Sequence, residues 1–122
     1  MKTALLLIAH GSRNAEANDD LFVLVEELRA AYPIVEASFL ELAKPTIDEA
    51  ARACVTLGAQ RVILLPYFLS AGVHVRRDLQ EHRDRLAKDH ASVEFALAEP
   101  IGRHPLLREI LLQRAKESEP EA

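Results

Sequence analysis

The chain has 122 residues, of which 49% are hydrophobic and 28% are charged, a composition ordinary for one compact globular domain over residues 1–122. The formal net charge of −4 argues against a nucleic-acid partner, because binding a phosphate backbone requires an excess of lysine and arginine on one face. The single cysteine, Cys54, excludes an internal disulfide, and no apolar run is long enough to cross a membrane. We therefore expect a cytoplasmic protein without a membrane partner.

The first element is a short apolar run, residues 4–9, which ends abruptly at His10. Its length suits a buried strand, and ligands of parallel α/β sheets bind outside the carboxyl ends of such strands. From about Asn14 to Tyr32, apolar residues recur at helical spacing, and Pro33 closes the stretch. The pattern predicts a strand followed by a covering helix, with His10 between them.

A second strand and helix follow. Apolar residues alternate with polar ones over residues 35–39, which indicates a strand with one wetter face. Thr46 and Glu49 have the spacing of a helix capping box, and Gly58 is a typical stop signal. Cys54 lies on the apolar stripe of the helix between them and is explained as a small core residue.

The third unit begins with the continuous apolar run 62–65, which Pro66 ends because proline cannot donate to a central ladder. Residues 67–73 are predicted to form a loop. The segment from about Arg76 to His90 has only a narrow apolar stripe and is predicted to be a mostly solvated helix.

The fourth unit combines an alternating strand pattern over residues 93–97 with a last helix that begins at Pro105. The apolar face of this helix is formed by Leu106, Leu107, Ile110 and Leu111. The tail, residues 118–122, is expected to fray.

Four consecutive strand-helix units predict an α/β fold with a four-stranded parallel sheet and helices on both faces. The first and third strands are continuous apolar runs, which favours central positions, so the simplest strand order is the flavodoxin-like 2-1-3-4. Such a sheet has two edges to protect, and self-association would cover one of them.

The loops after all four strands lie on the same side of this sheet, which brings His10, Glu41, His74 and His104 together. Two imidazoles and a carboxylate are a common ligand set for a divalent first-row metal. A histidine can also accept a proton and release it to water near neutral pH. The sequence therefore predicts metal handling or proton transfer at this edge.

Several of these residues also have simpler explanations. Glu41 could be a solvated loop carboxylate, and His104 could cap the last helix ahead of Pro105. His82 and His90 lie on the polar helix and are interpreted as surface residues. His10 and His74 are the stronger functional candidates because they are expected beside strand ends.

Three other features stay open on the residues alone. Residues 11–12 could form an anion pocket at the first helix N-terminus. Residues 67–69, Tyr-Phe-Leu, are explained most simply by core and loop packing, although they could also form an apolar wall for a flat ligand. Arg76 and Arg77 could be ordinary helix-start charges or anchors for substrate carboxylates.

Four sequence blocks together resemble the class II tetrapyrrole chelatases of the CbiX/SirB type. They are Leu-Ile-Ala-His-Gly-Ser-Arg at 7–13, Phe-Leu-Glu-Leu-Ala-Lys-Pro-Thr at 39–46, Leu-Pro-Tyr-Phe-Leu-Ser-Ala-Gly-Val-His-Val-Arg-Arg-Asp at 65–78 and Pro-Ile-Gly-Arg-His-Pro at 100–105. The blocks occur in the family's order over nearly the whole chain, and the length is similar to the short, single-domain form of the family.

The resemblance implies a lyase-type chelatase that inserts a divalent metal into sirohydrochlorin, or a closely related tetrapyrrole, without nucleotide hydrolysis or an organic cofactor. His10 and His74 match the family's metal-handling histidines, and Glu41 matches a carboxylate near the metal. Cobalt is the first choice and iron the second. The chain has no histidine-rich insertion of the kind found in some nickel-handling relatives, which disfavours nickel. The pathway served, whether cobalamin, siroheme or a nickel tetrapyrrole, follows from the metal and stays open.

The resemblance also gives the local basic residues a purpose, since sirohydrochlorin is rich in carboxylates. Arg13, Lys44, Arg76 and Arg103 are the candidate substrate anchors. The short family form looks like half of the longer enzymes, which implies a homodimer whose two sheets face each other and enclose the macrocycle.

Two rival functions remain open. A metal or tetrapyrrole carrier would need the same ligands, and only turnover would separate it from a chelatase. A phosphohydrolase with a histidine nucleophile is disfavoured, because histidine phosphatases have an arginine before the histidine-glycine pair and Ala9 precedes His10 here.

Overall fold

The computed structural model describes residues 1–120 and contains four consecutive strand-helix units. The elements are β1 (Thr3–Ala9), α1 (Ala15–Leu28), β2 (Ile34–Phe39), α2 (Ile47–Thr56), β3 (Arg61–Pro66), α3 (Val73–Asp89), β4 (Glu94–Leu97) and α4 (Pro105–Glu117). All strand pairs are parallel and their order is β2-β1-β3-β4, so the predicted fold class and strand order are confirmed. Of the predicted frayed tail, residues 121–122 lie outside the described residues. None of the helices within residues 1–120 is long and apolar enough to span a membrane.

Strand β1 lies in the middle of the sheet because its side chains are apolar on both faces. Leu6 and Ile8 are buried in the core on one face, and Leu5 and Leu7 are buried in the core on the other. A strand with two apolar faces is most stable where both faces are covered and shielded from water, which explains the central position of β1.

The helices cover the two faces unequally. Helix α1 packs on β1 and β2 through Leu21 and Val25, whereas α2 and α3 cover the opposite face. Cys54 of α2 is fully buried there, and burial raises the pKa of its thiol to about 12, with the charge of Glu36 acting in the same direction. Cys54 is therefore a protonated core residue, as predicted.

The predicted wetter face of β2 is wrong at Ser38, although Glu36 on the same face is partly exposed. Ser38 is fully buried, and its hydroxyl donates a hydrogen bond to the carbonyl oxygen of Leu7 at 2.9 Å. Helices α1 and α2 both contact this strand, so a polar side chain on it must find a partner inside the protein. A short hydroxyl can do so by bonding to the backbone of the neighbouring strand.

Strand β3 is central, as predicted, but one of its faces is not fully covered. Ile63 and Leu65, which point toward the α1 side, are only partly buried, and Ala96 of the neighbouring β4 is exposed. Helix α1 covers β1 and β2, so the β3–β4 half of that face is open.

Helix α4 does not bury its apolar face on its own sheet. None of its residues, all within the described part of the chain, is buried, and Leu106, Ile110 and Leu111 are 62%, 50% and 68% exposed. Of the four predicted apolar side chains, these three are exposed to solvent, and only Leu107 is partly buried.

Helix α3 begins earlier than expected, at Val73 instead of about Arg76. Its N-cap is Gly72, which makes no side-chain capping hydrogen bond, so the usual sequence signal for a helix start is missing. His74 therefore lies in the first turn of a helix and not in a loop. The predicted narrow stripe is confirmed, since Leu79 and Leu86 are the buried residues of this helix.

Candidate active site

Backbone hydrogen bonds join the loops at the carboxyl edge of the sheet into one continuous ledge. The Glu41 N–H donates to the His10 carbonyl oxygen at 3.0 Å, which joins the loops after β2 and β1. The Tyr67 N–H donates to the Ile8 carbonyl oxygen at 2.7 Å, and the Ile101 N–H donates to the Phe68 carbonyl oxygen at 3.0 Å. The ledge therefore follows the strand order and holds the four loops beside one another.

Two glycines allow the loops to come this close. A Cβ atom at Gly11 would overlap the carbonyl oxygen of Glu41, and Gly11 also has a φ of +96°. A Cβ atom at Gly102 would overlap the carbonyl oxygen of Leu69. Two of the three junctions in the ledge therefore depend on glycine.

His10 lies exposed at the end of the central strand β1. Its ring packs on Phe68, with the ring centroids 4.3 Å apart and the planes tilted by 32°. Phe68 is only 6% exposed, so the contact joins a solvent-facing imidazole to the hydrophobic core. An exposed histidine on a rigid support can bind a metal ion or exchange a proton with a ligand.

Glu41 is exposed in the loop after β2, next to His10 along the ledge. The following residue, Leu42, has a φ of +64°, and Arg103 in the loop after β4 has a φ of +67°. Non-glycine residues in this left-handed region carry backbone strain of about 1–3 kcal/mol, and such strain is concentrated at functional sites. Both strained residues lie at the edge where the candidate side chains are found.

His74 is exposed on the first turn of α3, which follows β3 at the same edge. Within residues 1–120, no three histidine, cysteine, aspartate or glutamate side chains come together closely enough to hold a metal ion. The fold places His10, Glu41 and His74 on neighbouring loops and turns of one edge, and metal coordination by these residues stays a prediction.

His104 is the N-cap of α4, where its Nδ1 accepts a hydrogen bond from the Leu106 N–H at 3.1 Å. This confirms the capping interpretation of His104. The cap also fixes the direction in which α4 leaves the edge.

The four candidate anchoring cations are exposed in the segments that follow the four strands. Arg76 and Arg103 line one groove of about 440 Å³. Arg76 is held there by a 3.7 Å ion pair with Glu99 and by a hydrogen bond from its Nε to the Ala71 carbonyl oxygen at 3.2 Å. Arg13 and Lys44 lie in the loops after β1 and β2.

The contact between Phe68 and His10 is not predicted by the sequence pattern. Residues 67–69 are interpreted from the sequence as core and loop packing or as an apolar wall for a flat ligand. Phe68 is buried, which agrees with core packing, whereas Tyr67 and Leu69 are 40% and 68% exposed. The register of β1 against β3, which the structure provides, explains the contact. Ile8 pairs with Pro66, and His10 and Phe68 each follow two residues later.

The chain is similar to a known protein family and to several characterised proteins. The model of the CbiX family matches residues 4–118. A sirohydrochlorin cobaltochelatase of Priestia megaterium is 40% identical over 117 residues, which cover 94% of this chain and 38% of that protein. A sirohydrochlorin cobaltochelatase of Sulfolobus acidocaldarius is 34% identical over 114 residues, which cover 93% of this chain and 90% of that protein.

A solved structure, SirB from Bacillus subtilis with Fe³⁺, has the same fold, with a TM-score of 0.87 and 33% sequence identity. The match covers 98% of this chain and 49% of SirB. The chain therefore spans half or less of SirB and of the Priestia protein, but nearly all of the Sulfolobus protein.

Proposed function

Because the chain belongs to the CbiX family, we propose that it is a sirohydrochlorin chelatase, which inserts a divalent metal ion into a modified tetrapyrrole. The observation that carries the proposal is the exposed imidazole of His10, fixed at the end of the central strand on a ledge built by all four loops. We take residues 1–122 as one chelatase module located in the cytoplasm.

The chemistry needs a weak ligand and a proton acceptor. Insertion forms bonds from the metal ion to the ring nitrogens and releases two pyrrole N–H protons, so M²⁺ enters as two H⁺ leave. Neutral histidines suit both tasks, because an imidazole can bind the ion, give it up and then accept a proton. We assign these tasks to His10 and His74, with the carboxylate of Glu41 near the metal ion.

The substrate is a carboxylate-rich macrocycle, and the cations at the edge are suited to hold it. Arg13, Lys44, Arg76 and Arg103 follow the four strands, so together they can contact carboxylates around the ring. The shared groove of Arg76 and Arg103 would take one carboxylate-bearing substituent. No step of this binding or insertion calls for an organic cofactor or nucleotide.

Cobalt is the proposed metal substrate, with iron second and nickel third. One relative from Priestia and one from Sulfolobus are named cobaltochelatases, whereas a second Priestia relative is named a ferrochelatase and the SirB structure contains Fe³⁺. Histidine and carboxylate ligands accept several first-row ions, so metal supply contributes to the choice in the cell. The choice decides whether the product enters cobalamin or siroheme biosynthesis.

We also propose that the chain works as a homodimer. A second copy could bury two apolar surfaces. They are the exposed apolar side chains of α4 and the open β3–β4 half of the α1 side of the sheet. Helix α4 starts at His104, directly at the candidate site, so a partner on this helix would lie beside the ledge. The greater length of SirB and of the Priestia protein supports a second module in the working enzyme.

The site assignment is tested by three histidine variants in an anaerobic insertion assay with cobalt and sirohydrochlorin. His10→Ala and His74→Ala should each lower kcat by about 100-fold or more, the scale on which a positioned acid or base contributes. His82→Ala, on the distal part of α3, is the matched control and should keep near wild-type kcat. Equal activities in all three folded variants would show that the chemistry lies elsewhere.

A further inference from the structure

The imidazole of His10 is held in an unusual way for a histidine that handles metal ions. Such histidines are normally oriented by a hydrogen bond from their second ring nitrogen to a carboxylate or carbonyl group. Among residues 1–120, neither ring nitrogen of His10 has a hydrogen-bond partner in this chain. The ring instead packs against Phe68, at a centroid distance of 4.3 Å.

Phe68 is itself firmly fixed. Its side chain is 6% exposed and belongs to the hydrophobic core between the sheet and helices α2 and α3. Its carbonyl oxygen accepts the Ile101 N–H, and the N–H of the preceding Tyr67 donates to the Ile8 carbonyl oxygen. Phe68 is thus tied to β1 on one side and to the loop after β4 on the other, which makes it a rigid support for the ring above it.

We propose that Phe68 is a positioning residue for His10. The tilted ring stack orients the imidazole at the carboxyl edge and leaves both nitrogens available, so the same histidine can bind the metal ion and later accept a proton. A carboxylate partner would occupy one nitrogen and strengthen the other as a ligand, which opposes release of the ion. This inference rests on the proposed function of His10.

Core packing is the competing explanation for Phe68, and Phe95 provides a matched control for it. Phe95 on β4 is 4% exposed and belongs to the same core cluster. Its ring faces His90, at a centroid distance of 5.9 Å, and not His10. Phe68→Leu and Phe95→Leu therefore remove similar aromatic volume from one core, but only the first removes the support of His10.

The first test measures the ring motion of His10 in the free protein by NMR relaxation. Phe68→Leu should lower the order parameter of the His10 ring, whereas Phe95→Leu should leave it at the wild-type value. Phe68→Tyr keeps an aromatic ring and should retain the wild-type order. If Phe68→Leu does not fold, Phe68→Met, which also lacks the ring, takes its place in this test. An unchanged His10 order parameter in folded Phe68→Leu would overturn the proposal.

The second test compares steady-state insertion of Co²⁺ into sirohydrochlorin. Phe68→Leu should lower kcat by about 10-fold, as for partners that orient a metal ligand, and leave KM near the wild-type value. Phe68→Tyr should restore kcat, and Phe95→Leu should retain it. Equal losses of kcat in both leucine variants would assign Phe68 to the core alone. If the wild-type protein inserts no metal, the proposed function fails, and the relaxation measurement, which needs neither metal nor tetrapyrrole, decides the positioning role by itself.

Discussion

At the scale of single residues, Gly11 is one of two ledge positions with no room for a side chain. Gly11→Ala combines a φ of +96° with an overlap between the new Cβ atom and the Glu41 carbonyl oxygen. The loops after β1 and β2 would have to separate, so we expect a loss of about 1–3 kcal/mol in the free energy of unfolding and a large loss of insertion activity. Denaturant unfolding and the insertion assay measure the two effects.

Gly72→Ala is the control for this substitution. Gly72 has a φ of −68°, and a Cβ atom there would meet open space. The alanine should therefore be tolerated with a clearly smaller loss of stability. If Gly11→Ala proved as stable and as active as Gly72→Ala, the close junction of the two loops would be irrelevant to the site.

The sequence predicted the place of a residue in the fold when its immediate neighbours in the sequence determine that place. His10 follows a continuous apolar run, and His104 precedes a proline, so both placements could be predicted from neighbouring residues alone. The contact of His10 with Phe68 could not, because it depends on the register between β1 and β3, which only tertiary structure specifies. Register decides which residues of distant segments meet.

At the scale of elements, Arg85 joins α3 to α2. Its Nη2 donates to Asp48 Oδ1 at 2.6 Å and lies 2.8 Å from Nδ1 of His82, which accepts when the histidine is neutral. Burial lowers the pKa of His82 below its usual value of 6.5, and the charge of Arg85 lowers it further, against the opposing charges of Asp48, Asp78 and Glu81. Protonation of His82 would place two cations side by side.

This arrangement predicts a pH dependence of stability. With a pKa lower in the folded than in the unfolded state, His82 binds protons preferentially in the unfolded state, so stability falls as the pH drops below 6.5 through the folded pKa. His82→Gln does not titrate, so its free energy of unfolding should fall less steeply over this range. Urea unfolding at several pH values tests this, since carboxyl groups contribute equally in both proteins. Parallel curves for the two proteins would contradict the expectation.

Elements were predicted well where their ends carry strong signals. The capping box of Thr46 and Glu49 is present at the start of α2, as predicted. Helix α3 starts earlier than predicted because Gly72 gives no capping signal. On β2, Ser38 is buried because its hydroxyl bonds to the backbone of the neighbouring strand. Alternation of residue types cannot distinguish solvent from an internal hydrogen-bond partner.

At the scale of the whole molecule, the exposed face of α4 predicts dimerisation. Leu111→Lys places a charge on this apolar face, where Leu111 is 68% exposed, and should convert a dimer into monomers with little change in fold. Leu57→Lys, at a similarly exposed leucine at the end of α2, should leave the dimer intact. Light scattering after size-exclusion chromatography measures the mass. A wild-type monomer at assay concentrations would contradict the dimer.

The overall architecture was predictable because apolar continuity specifies which strands are central. The sequence did not predict that the β3–β4 half of the α1 side of the sheet is open. An apolar helix pattern does not show whether the helix packs on its own sheet or on a second copy of the protein. The same pattern in Leu106, Ile110 and Leu111 suits a helix on its own sheet equally well.

Catalysis of metal insertion is what distinguishes a chelatase from a carrier. The most direct measurement follows the absorption spectrum of sirohydrochlorin with cobalt, iron or nickel under anaerobic conditions, with and without catalytic amounts of protein. We predict many turnovers above the spontaneous rate, fastest with cobalt, and loss of this acceleration in His10→Ala. Tight binding of metal or tetrapyrrole with no acceleration by any of the three metals would contradict the account and indicate a carrier.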